Sequence, residues 1–321
     1  MSGIINNWER SSRGQKATRL RALYEFVATH LYDQYEPNKR VSEQSALFLE
    51  RIESWLASFQ SDADRWNAFR SLEYFLFLGV EEYEELYRCA CDHTVLPWIC
   101  DLEGIDIFGP ATAKKIEKAL KKTWICPVTD SLRINSFLHL TGLPGLKFRP
   151  DWHSLSKFGD GEKIANYVCR SGIGHLVLVE DYVGTGTQFG RALEFAVENF
   201  NGPILALPLV VCAPGDEALR GIEARTGGRV TYKPGVVIPK NCLVGQAFQA
   251  GEPVLFKELR DTLLAAFKIM GEPRLDGEEY GFGYVGSLVC TFSNCPNNTP
   301  PIYHYSDKRW NAIFPRAGRR A

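Results

Sequence analysis

Residues 175–190 read HLVLVEDYVGTGTQFG. Leu176 to Val179 form an unbroken apolar run, the pattern of a strand buried on both faces of a parallel sheet. Ligand sites in such sheets gather at the carboxyl ends of the strands. Here that end carries two adjacent carboxylates, Glu180 and Asp181. Carboxylates accept hydrogen bonds from the vicinal hydroxyls of a sugar. The turn that follows, Gly184, Thr185, Gly186 and Thr187, is built of small residues, and from Gln188 the stretch QFGRALEFAVENF has helical periodicity. A glycine-rich turn that opens a helix offers backbone N–H groups and the positive end of the helix dipole, a setting suited to phosphate. Carboxylates for a ribose beside amides for its phosphate describe a pocket for a ribose 5-phosphate group.

Other readings of the same turn stand beside this one. The spacing Gly184, Gly186, Gly190 is similar to that of a dinucleotide-binding loop, but there the glycines follow the strand directly, whereas an acidic pair intervenes here. A P-loop requires a Gly-Lys-Ser/Thr ending, and this turn holds no lysine. The purely structural reading is a strand-to-helix turn whose acids face solvent.

Outward from this motif the chain has two textures. From about Thr18 to Thr123 apolar residues recur at three- and four-residue spacing, as in WNAFRSLEYFLFLGVEEYEELYRCA, and Ser61-Asp62 before Trp66 has the form of a helix start. From Trp124 onward, short β-rich runs (Ile125 to Val128, Leu176 to Val179, Ile204 to Cys212, Val230 to Ile238) alternate with helical stretches. This is the pattern of βαβ units around a parallel sheet. We therefore expect an α/β fold with an N-terminal, mainly α-helical module over residues 1–122 and an α/β domain over residues 123–321. YVGSLVCTFSNCPNNTPPIYHY is expected to add one more strand and a Pro/Asn-rich loop, and Gly145 to Lys163 is expected to be mostly loop.

The 321 residues carry a net charge of −1 and are 45% hydrophobic, the composition of an ordinary soluble globular chain. Near-neutral charge gives no generalised attraction to nucleic acid, so any such contact would be local. The first residues, MSGIINNWERSSRGQK, are polar and unlike a signal peptide, and the apolar runs are too short to span a bilayer. A cytoplasmic protein with no membrane association is expected. Nine cysteines, an odd number with no secretory signal, point to reduced thiols. The spacing of Cys89, Cys91, His93 and Cys100 matches no common structural zinc pattern, so no metal-ligating residue is assigned.

The order of apolar run (Leu176 to Val179), acidic pair (Glu180-Asp181), two residues (Tyr182-Val183) and Thr/Gly loop (Gly184 to Thr187) resembles the signature of the type I phosphoribosyltransferases. Tyr182, Gly184 and Gln188 depart from the side chains usual there. EDYVGTGTQF together with NCPNNTPPIYHYSDKRWNAIFPR is similar to the phosphoribosyltransferase-like domain of bacterial conflict systems, over roughly Trp124 to Arg316. The resemblance implies a sheet of the type I phosphoribosyltransferase kind. It also implies a small-molecule phosphoribosyl ligand such as phosphoribosyl pyrophosphate with Mg²⁺, and displacement at the anomeric carbon with Glu180 and Asp181 as catalytic residues. Gly184, Thr185, Gly186, Thr187 and Gln188 would hold the phosphate, with Gly186 leaving room for it.

The resemblance further implies a pyrophosphate loop after the first core strand, a place taken here by Thr129, Asp130 and Ser131, with Arg133 nearby as a charge partner. A cap for the next helix is the alternative for Asp130 or Ser131. That loop lacks a lysine, which leaves open a domain that binds the ligand without turning it over: a non-catalytic sensor reporting to a protein partner through the helical module. A role as an effector in antiviral defence comes from the resemblance alone. Asn297, Asn298 and Thr299, before Pro300-Pro301, are further candidates for ligand contact, with an Asx turn as the alternative.

Overall fold

Ile204 to Cys212, ILALPLVVC, carries no charge and is buried along its whole length in the computed structural model, which describes residues 3–11, 15–32, 34–37, 48–271 and 278–316. Along the chain, helices α1 (Ile4–Ser11), α2 (Gln15–Phe26), α3 (Phe48–Ala57) and α4 (Asp62–Ser71) precede a short strand, β1 (Leu76–Leu78). Helices α5 (Val80–Ala90), α6 (Leu96–Glu103) and α7 (Thr112–Leu120) lead to β2 (Thr123–Pro127). Next come α8 (Ile134–Thr141), α9 (Trp152–Phe158), α10 (Gly161–Ser171), β3 (His175–Val183), α11 (Thr187–Asn199) and β4 (Ile204–Cys212). They are followed by α12 (Ala213–Arg225), β5 (Val230–Tyr232), β6 (Val236–Ile238), α13 (Leu255–Met270), β7 (Val289–Thr291) and α14 (Pro301–His304). The chain is α/β, with parallel sheets and a helical N-terminal region, as its patterning predicts.

Two compact units share these elements: Glu82–Pro239, and Met1–Glu81 together with Lys240–Ala321. The first contains a five-stranded parallel sheet in the order β2-β3-β4-β5, with β6 also on β4. The expected single strand Val230 to Ile238 is two: β5 pairs with Ile204 to Ala206 and β6 with Val210 to Cys212. Pro208 lies between those registers and has no N–H to give, so the ladder is interrupted where the edge strand breaks. The carbonyl of Pro208 is still used, accepting from the Gly235 amide at 2.9 Å.

Most of the stretch Gly145 to Lys163 is helical, contrary to expectation. Asp151 caps α9 by accepting from the Ser154 amide, Asp160 caps α10 by accepting from the amides of Glu162 and Lys163, and Trp152 is buried with its ring 5.4 Å from that of Trp124. Two aspartate caps and one buried aromatic override the polar composition. Part of the N-terminal helical texture also belongs to the sheet. The indole N–H of Trp98 on α6 donates to Thr231 Oγ1 at 3.2 Å, and His175 Nε2 at the start of β3 lies 3.2 Å from Glu103.

In the other unit Ser61 is the expected cap of α4, accepting from the Asp64 amide. Val289 to Thr291 does form a strand, but it pairs in parallel with β1, Leu76 opposite Val289. One core joins Leu20, Val27, Trp55 and Phe69 to Phe256, Leu263, Tyr303, Trp310 and Phe314. The indoles of Trp55 and Trp310 both donate to the Ile302 carbonyl, at 2.8 and 3.0 Å. The compact units thus divide at Glu81 and Lys240 rather than between residues 122 and 123, because the pairing of β1 with β7 and this shared core link segments distant in sequence. No helix among the described residues is long and apolar enough to cross a membrane.

Residues 82–239 produced alone should unfold in one cooperative urea transition, since their hydrophobic core is drawn from that segment. In residues 123–321 produced alone the same sheet core is present, but the part beyond residue 239 should be open to protease, because β7 loses β1 and Trp310 loses Phe59. Protection of residues 240–321 in that piece, with no cooperative transition in residues 82–239 alone, would restore the boundary at residue 122.

Candidate functional site

Parallel pairing sets Pro127 opposite Val179, so β2 leaves the sheet at the level of Glu180. The Val128 amide donates to the Val179 carbonyl at 2.9 Å, and the chain then turns through Thr129, Asp130 and Ser131 directly beside the acidic pair. Strand β3 does not end at Val179; it continues through Glu180 and Asp181 to Val183, so the carboxylates are held by strand geometry. The Thr129 amide donates to Glu180 Oε2 at 2.9 Å and its hydroxyl to Oε1 at 2.5 Å. Ser131 Oγ donates to Asp181 Oδ1 at 3.0 Å, with a longer contact of 3.4 Å to Glu180 Oε1, and the Tyr182 amide donates to Asp181 Oδ1 at 2.8 Å. Glu180 is buried and Asp181 half-buried. Burial and the neighbouring Asp181 push the Glu180 carboxyl well above the usual carboxylate range. Burial raises Asp181 as well, against the hydrogen bonds from Ser131 and Tyr182.

Val183 leads into the Thr/Gly turn. Gly186 has φ +80°, a left-handed conformation that favours glycine, and forms the N-cap of α11 without contributing a side-chain acceptor. Thr185 Oγ1 and Thr187 Oγ1 are 2.9 Å apart, and the exposed Thr187 and Gln188 begin the helix. The first-turn amides of a helix point away from its body, where an anion can meet them. A Cβ on Gly186 would lie 3.1 Å from Ala218 Cβ and 3.2 Å from Gly215 Cα, both on α12. The glycine therefore makes room for α12, a neighbour that the sequence around the turn does not reveal. Gly215 has the matching constraint: a Cβ there would stand 2.8 Å from the Gly184 carbonyl oxygen. Gly215 escaped the sequence reading, since one glycine in the first turn of a helix carries no signal of what packs on it.

The structure thus brings Thr129, Ser131, Glu180 and Asp181 together by direct hydrogen bonds, with Gly184 to Gln188 next along the chain. Asp130 is exposed on the same loop. Tyr182, unusual at its position, places its hydroxyl 3.1 Å from Cys212 Sγ at the end of β4, and burial holds that thiol up at about 12. Asn297, Asn298 and Thr299 belong to the other compact unit. Asn298 Nδ2 donates to the Phe282 carbonyl at 2.8 Å and Thr299 Oγ1 to the Val289 carbonyl at 2.7 Å, bonds internal to that unit. His304, from the same C-terminal motif, is buried with Nε2 2.9 Å from the Thr299 carbonyl, and burial lowers its pKa to about 4.

Two outcomes follow from this geometry. Gly186→Ala should lower stability by about 1–2 kcal/mol in urea unfolding, the cost of left-handed backbone for an L-residue, and should weaken ligand binding with it. Unchanged stability would mean the turn has another conformation. For His304 the folded state resists protonation down to about pH 4 while the unfolded chain protonates below about pH 6.5. Stability should therefore fall as pH drops through that window, by up to about 1.4 kcal/mol per pH unit. His304→Gln should lose this part of the slope, and an identical pH profile in the variant would remove His304 as its source.

Comparison with known proteins adds one match and two blanks. No curated protein and no solved structure matches the chain significantly. The PRTase-CE family profile matches residues 52–316, which include all of the sheet and both loops of the site. Together with the acidic pair at the end of β3 and the Thr/Gly turn before α11, this places the chain in the PRTase-CE family of phosphoribosyltransferase-like domains.

Proposed function

We propose that the site at the carboxyl ends of β2 and β3 binds phosphoribosyl pyrophosphate or a related nucleotide and acts at its anomeric carbon, transferring or releasing the phosphoribosyl group. The observation that carries this reading is the direct bonding of the Thr129–Ser131 loop to the acidic pair. A loop for pyrophosphate and a carboxylate for ribose are thereby fixed relative to one another. In this reading the first turn of α11 takes the 5-phosphate and Asp181 faces the ribose hydroxyls. The Asp181 charge stabilises the positive charge that develops on the ring as the bond to pyrophosphate breaks.

Among the described residues no group of three or more His, Cys, Asp or Glu side chains is placed to hold a metal ion. Mg²⁺ bound together with phosphoribosyl pyrophosphate would neutralise the departing pyrophosphate beside the Thr129–Ser131 loop. The absence of a lysine from Thr129–Ser131 supports a second reading, a sensor that binds the same ligand and passes its occupancy to a protein partner through the N-terminal helices. We assign either activity to a bacterial antiviral system on family resemblance alone.

Titration calorimetry with phosphoribosyl pyrophosphate and Mg²⁺, beside a pyrophosphate-release assay with a nucleobase panel, tests both readings. Asp181→Asn should weaken binding by about 1.5–3 kcal/mol, roughly tenfold to a hundredfold. On the enzyme reading turnover should fall further than affinity, because the lost charge matters most in the transition state. Binding without pyrophosphate release in the wild type would select the sensor. Absence of binding to any phosphoribosyl ligand would refute both.

A further inference from the structure

The two carboxyls of the site are joined by a row of three oxygen–oxygen contacts. Glu180 Oε1 lies 2.5 Å from Thr129 Oγ1, Thr129 Oγ1 lies 2.7 Å from Ser131 Oγ, and Ser131 Oγ lies 3.0 Å from Asp181 Oδ1. Each hydroxyl has one hydrogen, so Thr129 and Ser131 supply two protons for three contacts. With both acids ionised, one contact would set two oxygens face to face with no hydrogen between them, in a cluster whose Glu180 and Thr129 are buried, Asp181 half-buried and Ser131 exposed. One added proton completes the row. Glu180 then donates to Thr129, Thr129 to Ser131 and Ser131 to Asp181, while Glu180 Oε2 still accepts from the Thr129 amide at 2.9 Å.

We propose that Glu180 is a neutral positioning residue: its carboxyl carries the third proton and fixes the Thr129–Ser131 loop, leaving Asp181 as the charged member of the pair. The surroundings favour this. Glu180 is 5% exposed, and the charge that acts on it is that of Asp181, the next residue on its strand. The loop after β2 brings a further acid, Asp130, whose charge acts on Asp181. Tyr87 on α5, near both Asp181 and Arg133, stays a neutral phenol because burial raises its pKa. On β4 the residue opposite Glu180 is Pro208, which brings no charge. Burial and the Asp181 charge disfavour a second anion at Glu180. The charge assignment is independent of the ligand. Its consequence for binding rests on the phosphoribosyl reading.

Two measurements decide it. The infrared difference spectrum at neutral pH, wild type minus Glu180→Gln, should contain the carbonyl stretch of a protonated carboxyl. In the wild type alone that band should persist through neutral pH and convert to a carboxylate band only well above the usual carboxylate range. A carboxylate band at neutral pH overturns the proposal, whatever the ligand. The second measurement is affinity for phosphoribosyl pyrophosphate with Mg²⁺. Glutamine reproduces a neutral acid, its amide N–H donating to Thr129 Oγ1 and its carbonyl accepting from the Thr129 amide. Glu180→Gln should therefore bind within about threefold of wild type, whereas Glu180→Ala, which frees the loop, should lose tenfold or more. Loss in Glu180→Gln as large as in Asp181→Asn would show a working anion at Glu180 and overturn the assignment. A wild type that binds no phosphoribosyl ligand would end the substrate reading, and the infrared result would still decide the charge of Glu180.

Discussion

The exit of β2 from the sheet at the level of Glu180, while β3 continues, is the constraint on which the site depends. Parallel strands in register, Pro127 opposite Val179, deliver the loop of one strand to the side chains of the other without any further device. A one-residue slip would turn Glu180 to the opposite face. That slip is opposed by the apolar run Leu176 to Val179, buried on both faces and flanked by β2 and β4. The hydrophobic effect thus specifies a polar geometry: the strands sit where their apolar side chains require, and the hydroxyls and carboxyls at their ends fall within bonding distance.

The Thr/Gly turn depends on a different kind of contact. Its backbone lies so close to α12 that Gly215 has no space for a methyl group against the Gly184 carbonyl, and Gly186 has little against Ala218. Two helix starts, α11 and α12, therefore pack through glycine, and the loop between β3 and α11 takes its shape from a helix beyond the next strand. Loops held by backbone packing of this kind are rigid without side-chain crosslinks, a useful property where amides must face a ligand.

Local signals were legible in the sequence and non-local ones were not. The apolar run of β3, the acidic pair, the turn and the start of α11 within one residue could all be read from periodicity and residue chemistry. So could the Ser61 cap and the full extent of β4. The aspartate caps of α9 and α10 were present but outweighed by the Gly, Pro and charged residues around them. Periodicity shows that β7 is one more strand but not which strand it pairs with: its partner is β1, more than two hundred residues earlier in the chain. For the same reason the sequence cannot show that, in the polar turn Asn297 to Thr299, the side chains of Asn298 and Thr299 bond the backbone of their own unit. The resemblance implies a loop at Thr129 to Ser131 but not its bonding to Glu180, and no spacing rule spans the 51 positions between Thr129 and Glu180.

The division of the chain at Glu81 and Lys240 also orders events during synthesis. A ribosome makes the whole contiguous sheet unit while the helices that precede it still lack Phe256, Tyr303, Trp310 and Phe314, the residues that complete their core. The sheet unit can therefore close on itself first, with the apolar faces of α3 and α4 uncovered until the last part of the chain emerges. A product cut short near residue 240 would retain the acidic pair and the Thr/Gly turn but would display Trp55 and Phe69 to the cell, marking it for chaperones and proteases.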